Sequence, residues 1–244
     1  MRKAPDLSIR ARPLVSVVTG TRSRPAEIEN AIYQVRAQTY RPLEHVIVSD
    51  GPDPVVAGIV KRFAAEKPRI APELKVPIIF QETGRCWSDE MASSPGAAAF
   101  QVAQLLAHGE YQMWFSDDEE MEPDHIEALM DLMEEEQTDF AYSMAVWYTA
   151  KKSKLPPISR VIGVAPPEPD HITNCIYRTA LLDYGKFETH VGRGTDWHQI
   201  SKWLEAGASY SFLERVTFRH RADQIGGHCS NTERQPLRGW RVLV

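Results

Sequence analysis

The apolar and polar positions of this chain switch repeatedly between a strand-like and a helix-like period. Leu14 to Val18 is a short apolar run rich in β-branched residues, followed by Gly20 and Pro25, the pattern of a buried strand feeding a turn. Ile28, Ala31, Ile32 and Val35 then recur at i, i+3, i+4 and i+7, which predicts an amphipathic helix. Val46 to Val48 repeats the strand pattern and stops at the turn formers Ser49-Asp50-Gly51-Pro52. Val56, Ile59, Val60 and Phe63 give a second helical stripe. Ile78 to Phe80 predicts a third strand, with Pro77 at its start, where a missing N–H is tolerated. A helix over Ala97 to His108 and a strand over Tyr111 to Phe115 follow. Next comes a helix carrying Ile126, Leu129, Met130 and Met133, which Asp124 is expected to cap.

Strands alternating with helices imply an α/β fold, a single doubly wound, Rossmann-like domain with a mostly parallel central sheet. Ligands of such sheets bind where the strands end. The loops that matter are therefore those after Val18, Val48 and Phe115. Beyond residue 135 the pattern is less regular. Phe140 to Trp147 reads as a long strand, Leu155 to Pro169 as a Pro-rich loop, Ile172 to Tyr177 as a strand and Thr195 to Ala206 as a helix. Ser209 to Phe218 reads as one or two strands. The expected division is a tail over 1–13, one domain over 14–221 with halves at 14–135 and 136–221, and a polar, Gly- and Arg-rich loop or tail over 222–244.

Composition narrows the function. With 28 basic and 33 acidic residues the net charge is −5, which argues against a protein built mainly to hold polyanions. Cys86, Cys175 and Cys229 are odd in number and lack CxxC spacing, so neither a disulfide framework nor a zinc site is expected. No apolar run approaches the ~20 residues of a membrane span, and the basic N-terminus lacks the apolar core of a signal peptide. The expectation is a soluble, cytoplasmic protein.

The segment from Asp117 to Glu122 carries five acids in six positions, directly after the fourth strand. Like charges packed there need a compensating cation or solvent. A hard divalent ion, Mn²⁺ or Mg²⁺, is the natural partner of clustered carboxylates and commonly bridges to a diphosphate. A solvated acidic turn at the positive end of a helix is the alternative.

Four stretches in order resemble a family 2 glycosyltransferase of the GT-A fold. Val15-Ser16-Val17-Val18-Thr19-Gly20-Thr21-Arg22-Ser23-Arg24-Pro25 is similar to that family's opening strand and loop. Ala37-Gln38-Thr39-Tyr40 with Val46-Ile47-Val48-Ser49-Asp50-Gly51 resembles its second strand. Gly109-Glu110-Tyr111 through Phe115-Ser116-Asp117-Asp118, with Pro123, resembles its DxD region. Gly194-Thr195-Asp196-Trp197, Gly207 and Phe218-Arg219-His220 resemble its close. The resemblance implies a nucleotide-sugar half, 14–135, and a smaller acceptor half, 136–221. It implies that Thr21 and Asp50 hold the nucleoside, and that Arg22 and Arg24 reach the base or the diphosphate. Arg85 would contact base or sugar, and Asp117 would lie near the ribose and donor sugar. Asp118 would be the main ligand of the metal, with His220 a second ligand or a diphosphate contact. Asp196 would be the catalytic base of an inverting transfer from a nucleoside diphosphate sugar, UDP-sugar foremost, to an acceptor hydroxyl.

The departures from the pattern are specific. Ser49 replaces the first acid before Asp50, Ser116 opens the DxD region, Thr195 stands where a glutamate is expected, and Ala99-Phe100-Gln101 replaces "ARN". A nucleotidyltransferase and a non-catalytic nucleotide-sugar-binding module therefore stand as alternatives, although the single glycine of the first loop disfavours the former. Arg215, Arg219, Arg221, Arg234, Arg238 and Arg241 form a basic C-terminal set. That set leaves the acceptor open among a glycan, a small molecule and a modified nucleic acid. Trp87, in a polar loop, is the tryptophan best placed to stack on a sugar; Trp114, Trp147, Trp197 and Trp203 read as core.

Overall fold

The computed structural model describes residues 12–66, 75–87, 96–149, 159–169, 172, 174–188 and 194–221. The expected C-terminal tail, with Cys229, Arg234, Arg238 and Arg241, and almost all of the N-terminal tail lie outside these residues. Strands β1 (Val15–Thr21), β2 (Leu43–Ser49), β3 (Ile78–Glu82) and β4 (Tyr111–Trp114) alternate with helices α1 (Pro25–Ala37), α2 (Pro54–Ala65) and α3 (Ala97–Leu106). A two-residue strand β5 (Glu120–Met121) precedes α4 (His125–Glu136). Strands β6 (Phe140–Tyr148), β7 (Ser159–Ile162) and β8 (Ile176–Arg178), helix α5 (Thr195–Glu205) and strand β9 (Tyr210–Arg221) complete the domain.

All nine strands form one sheet in the order β3-β2-β1-β4-β8-β6-β9-β5, with β7 on β6. The chain is thus the mixed α/β domain that the alternation predicts. β1, β2, β3 and β4 pair with one another in parallel, and antiparallel pairing begins where β8 joins β4. The first half reads cleanly because its strands are buried on both faces and carry continuous apolar runs. Val15 and Val17 face a core built on α1, α2 and α4, with Ile28, Ile32, Phe63 and Leu129. Val18, Val46 and Val48 face the opposite core, with Ala99 and Ala103 of α3 and Ile200 and Trp203 of α5.

Several expectations shift. The strand expected over Ile172 to Tyr177 is the short β8, and the expected one or two strands from Ser209 are a single twelve-residue strand. β7 lies within the stretch read as a Pro-rich loop, where alternation was too brief to mark it. Asp124 stands at the start of α4 but makes no side-chain cap; its carboxylate instead accepts from Arg215 at 2.9 Å. Trp114 and Trp203 are core residues, their rings 6.0 Å apart and both packed on Tyr177. Among the described residues no helix is long and apolar enough to cross a membrane.

The turn into β4 depends on Gly109. Its N–H donates to Ser16 Oγ at 2.8 Å, and a Cβ there would meet Ser16 Oγ and Tyr111 O at 2.6 Å and Leu14 O at 2.8 Å. Two of those atoms are backbone and cannot swing aside. Gly109→Ala is therefore expected to lower unfolding stability by about 1–3 kcal/mol, the usual range for overpacking, measured by urea titration.

Two buried histidines make the stability depend on pH. Thr19 Oγ donates to Phe115 O at 2.8 Å, so His45 Nε2, at 2.9 Å, must donate to Thr19, leaving His45 Nδ1 without a partner among the described residues. Likewise Thr217 Oγ donates to Ser143 Oγ at 2.7 Å, so His125 Nδ1 donates to Thr217 and Nε2 has no partner among the described residues. Protonation would bury an unsatisfied N–H in each case, and burial lowers both pKa values to about 3. A folded-state pKa below the unfolded value means stability is intact above about pH 6.5 and is lost as pH falls toward 3. Subtracting the pH profile of His125→Gln from that of the wild type should leave a slope approaching 1.4 kcal/mol per pH unit between those limits. A flat difference would show that His125 is already charged.

Candidate active site

Thr21, Arg22, Arg24, Asp50, Arg85, Asp117 and Asp118 lie at or just beyond the carboxyl ends of β1, β2, β3 and β4, while Asp196 and His220 lie on α5 and β9. Thr21 ends β1, and its carbonyl accepts from the Asp50 N–H at 2.8 Å, tying the ends of β1 and β2 together. Asp50 is buried, and its carboxylate accepts from the Trp87 N–H at 2.9 Å in the loop after β3. Thr83 Oγ accepts from the Gly51 N–H at 2.6 Å and donates to Arg85 O at 2.8 Å. Gly51, at φ +95°, is required where it stands, because a Cβ would lie 3.2 Å from the Cys86 backbone nitrogen. Arg85 lies over the Trp87 ring at 4.0 Å, a cation–π contact. Half-buried Trp87 therefore touches both Arg85, in its own loop after β3, and Asp50, in the loop after β2. Thr83 had no motif to mark it.

The acidic loop sits opposite Thr21. Thr21 Oγ donates to Asp117 Oδ2 at 2.6 Å, and a single Arg24 nitrogen, Nη1, donates to Asp117 Oδ1 at 2.8 Å and to Asp118 Oδ2 at 2.9 Å. The chain arrives there through Ser23, a non-glycine residue at φ +51°, a strained position of the kind found at ligand sites. Burial pushes the Asp117 carboxyl up to about 6, against the opposing pull of Arg24 and with the charge of Asp118 adding to it. Burial also works against the Arg24 charge, but Asp117 and Asp118 outweigh it and hold the guanidinium above its ordinary range.

Short contacts fix the rest of the loop. Gln34 of α1 donates to Glu119 O at 3.0 Å and accepts from the Met121 N–H at 2.8 Å. β5 pairs with β9, Glu120 opposite Arg219, and this pairing brings His220 beside Glu119, whose carboxylate lies within hydrogen-bonding distance of His220 Nδ1. Glu119 is buried and also accepts from the Ser116 N–H at 3.1 Å. Burial opposes a charged His220, but Glu119, then Asp118 and Asp196, outweigh it and raise the imidazole above its usual pKa. The sequence reading missed Glu119. Its signal was position alone, two residues beyond Asp117 in the acidic run.

Asp196 lies in the first turn of α5, half-buried, after Gly194 at φ +77°, and its carboxylate accepts from its neighbour's N–H, that of Trp197, at 2.8 Å. Its charge favours the protonated form of His220. Arg22 occupies the β1–α1 loop between Thr21 and Ser23. Arg215 and Arg219 are paired with Asp124 at 2.9 Å and Glu120 at 3.2 Å, which offsets much of the basic character they lend the sequence.

Among the described residues no three His, Cys, Asp or Glu side chains form a ready-made cage for a divalent ion. The Asp117 and Asp118 carboxylates nevertheless converge on one cationic nitrogen at 2.8 and 2.9 Å, with Arg24 as the stand-in. Such a carboxylate pair suits Mg²⁺ or Mn²⁺, which keep several positions for water and phosphate oxygens.

No protein-family model matches the chain, and no curated protein matches it by sequence. Its fold is that of solved structures which include TarS 1-349 of S. aureus, at TM-score 0.63 and 18% identity over 85% of this chain and 60% of that one. TarS 1-349 in complex with UDP-GlcNAc gives TM-score 0.64 and 16% identity, over 90% of this chain and 61% of that chain. The mannosyltransferase PcManGT from Pyrobaculum calidifontis, in complex with GDP-Man and Mn²⁺, gives TM-score 0.62 and 18% identity over 88% and 60%. The chain thus spans about three-fifths of the length of these structures. The shared fold is the Rossmann-like α/β domain, and structures that hold nucleotide sugars have it.

Proposed function

We propose that this protein is an inverting, divalent-metal-dependent glycosyltransferase that moves a sugar from a nucleoside diphosphate sugar, UDP-sugar foremost, to an acceptor hydroxyl. The observation that carries the reading is the meeting of Thr21, Arg24, Asp117 and Asp118 at the ends of β1 and β4, with Asp50 at the end of β2 beside them. That is the place where a doubly wound sheet binds its ligand. The fold is one that structures solved with UDP-GlcNAc and with GDP-Man and Mn²⁺ also have.

In this reading Asp50, with Thr21 and the Arg85–Trp87 loop, receives the nucleoside, its carboxylate accepting from the base. Arg22 and Arg24 lie nearest the diphosphate, and Asp117 meets the ribose and donor sugar. Asp118 holds the metal, with His220 as second ligand or as a donor to the diphosphate. The metal, Mn²⁺ or Mg²⁺, stabilises the charge of the departing diphosphate. Asp196 takes the proton of the acceptor hydroxyl as its oxygen attacks the anomeric carbon, and the bond from that carbon to the diphosphate oxygen breaks. Inversion follows from attack on the face opposite the leaving group.

Incubation with nucleotide sugars and Mn²⁺ tests the assignment. Release of nucleoside diphosphate, abolished in EDTA and restored by Mn²⁺, is the expected result. Release of pyrophosphate from a nucleoside triphosphate and a sugar phosphate would establish a nucleotidyltransferase, and donor binding without any turnover would establish a binding module.

The acceptor is a separate matter. If it is a modified nucleic acid, affinity for DNA should fall steeply with salt as counterions return. Since Arg215 and Arg219 are already paired, a shallow dependence is expected from the described residues, and a polarisation titration across salt concentrations measures it.

A further inference from the structure

We propose that Arg24 is the resident counter-cation of the metal site. It neutralises Asp117 and Asp118 while no metal is bound, and a divalent ion reaches Asp118 by displacing it. The inference rests on the metal-dependent reading above and adds to it how the site is held before the metal arrives.

The geometry carries it. One nitrogen of Arg24 lies 2.8 Å from an Asp117 oxygen and 2.9 Å from an Asp118 oxygen, so it stands between the two carboxylates. A metal ion on that Asp118 oxygen would need that space. Asp117 is buried, and the two side chains of Arg24 and Asp118 are 15% and 12% exposed. Two adjacent carboxylates so placed repel one another, and a cation between them offsets that repulsion. The guanidinium cannot shed its proton and so leaves only by moving.

The surroundings let the side chain move while the site stays whole. The Arg24 carbonyl accepts from the Ile28 N–H at 3.0 Å, which anchors the backbone at the start of α1 and leaves the long side chain to swing. Thr21 holds the other Asp117 oxygen at 2.6 Å, so Asp117 keeps its place when the guanidinium leaves. A diphosphate arriving with the metal offers the freed guanidinium a new anion, which it can bind in bidentate fashion. Metal and nucleotide should therefore favour one another's binding by more than their direct contact provides.

Mn²⁺ binding, followed by electron paramagnetic resonance with and without UDP, provides the test. Without nucleotide, Arg24→Gln should bind Mn²⁺ about tenfold or more tightly than the wild type, within the span of ordinary coupling between sites. Arg24→Lys, which keeps a charge there, should stay close to wild type. UDP should raise Mn²⁺ affinity less in Arg24→Gln than in the wild type. Equal or weaker Mn²⁺ binding by Arg24→Gln, with UDP-dependent Mn²⁺ binding intact in the wild type, would overturn the inference and leave the metal reading standing. Wild-type protein that binds UDP and never Mn²⁺ would overturn both. Should Arg24→Gln fail to fold, the wild type decides. The Arg24 guanidinium resonances, assigned by their absence in Arg24→Lys, should shift when Mg²⁺ and UDP are added, and unmoved resonances would count against displacement.

Discussion

Asp196→Asn is expected to lower glycosyl transfer by ~10²–10⁴, the usual contribution of a general base, while Mn²⁺ and UDP affinity stay within a factor of about two. The substitution keeps the size of the side chain and an acceptor oxygen for the Trp197 N–H, which Asp196 now binds at 2.8 Å. It removes only the group able to take a proton. The position suits that role because Asp196, in the first turn of α5, is near enough to His220 for its charge to favour the protonated imidazole. If Asp196 merely favoured the start of α5 through its charge, the variant would lose a few tenths of a kcal/mol of stability, up to about 1 kcal/mol, and would keep its turnover. Single-turnover rates beside a thermal melt separate the two roles: unchanged turnover with a lower melting temperature would remove Asp196 from the chemistry.

Asp118→Ala should have the second large effect. It is expected to lower transfer by at least ~10², comparable to removing one charge-stabilising contact from a transition state, and to abolish Mn²⁺-dependent binding of the nucleotide sugar. Its partner Asp117 is held by Thr21 at 2.6 Å as well as by Arg24, so truncating Asp118 leaves one anchored carboxylate and a guanidinium with half its pairing. UDP binding in the absence of metal should therefore survive. Isothermal titration with UDP, with and without Mn²⁺, checks this. A variant that retains the full effect of Mn²⁺ would place the metal elsewhere.

The first half of the fold was legible because its strands sit between two cores. Val15, Val17 and Val18 of β1 are all buried, some toward α1 and α4 and some toward α3, and a strand packed on both faces leaves an unbroken apolar run. The second half was harder for the opposite reason. β9 is half-exposed along much of its length, pairs with β6 and β5 at once, and carries register shifts opposite Ser143 and Met144, so its period is diluted. Within the site, Thr21, Asp50, Asp117 and Asp118 could be placed from the ends of their strands, and the structure brings them together. The partnership of Arg24 with both aspartates was not legible, since two loops separated by 92 residues must meet before one guanidinium can span them. Glu119 is a similar case. Sequence shows it as one acid among five, while the β5–β9 pairing turns it toward His220.

The cores hold the acidic edge at a fixed height above the sheet. Thr19 donates to Phe115 O at 2.8 Å, and Phe115 N–H donates to Val18 O at 2.9 Å, so the last turn before Asp117 is pinned to β1 from both sides. Gln38 adds a second clamp from α1, donating to Glu122 O at 2.9 Å and accepting from the Ile126 N–H at 3.1 Å. Rigid placement of this kind is what a charged ligand site requires, because the carboxylates cannot relax away from one another.

The most direct measurement is anomalous diffraction at the manganese edge from crystals holding UDP and Mn²⁺. The account predicts one strong peak bonded to an Asp118 oxygen and to diphosphate oxygens, with the uracil against Asp50. UDP bound at the ends of β1 and β2 with no manganese at Asp118, or manganese bound away from the diphosphate, would contradict it.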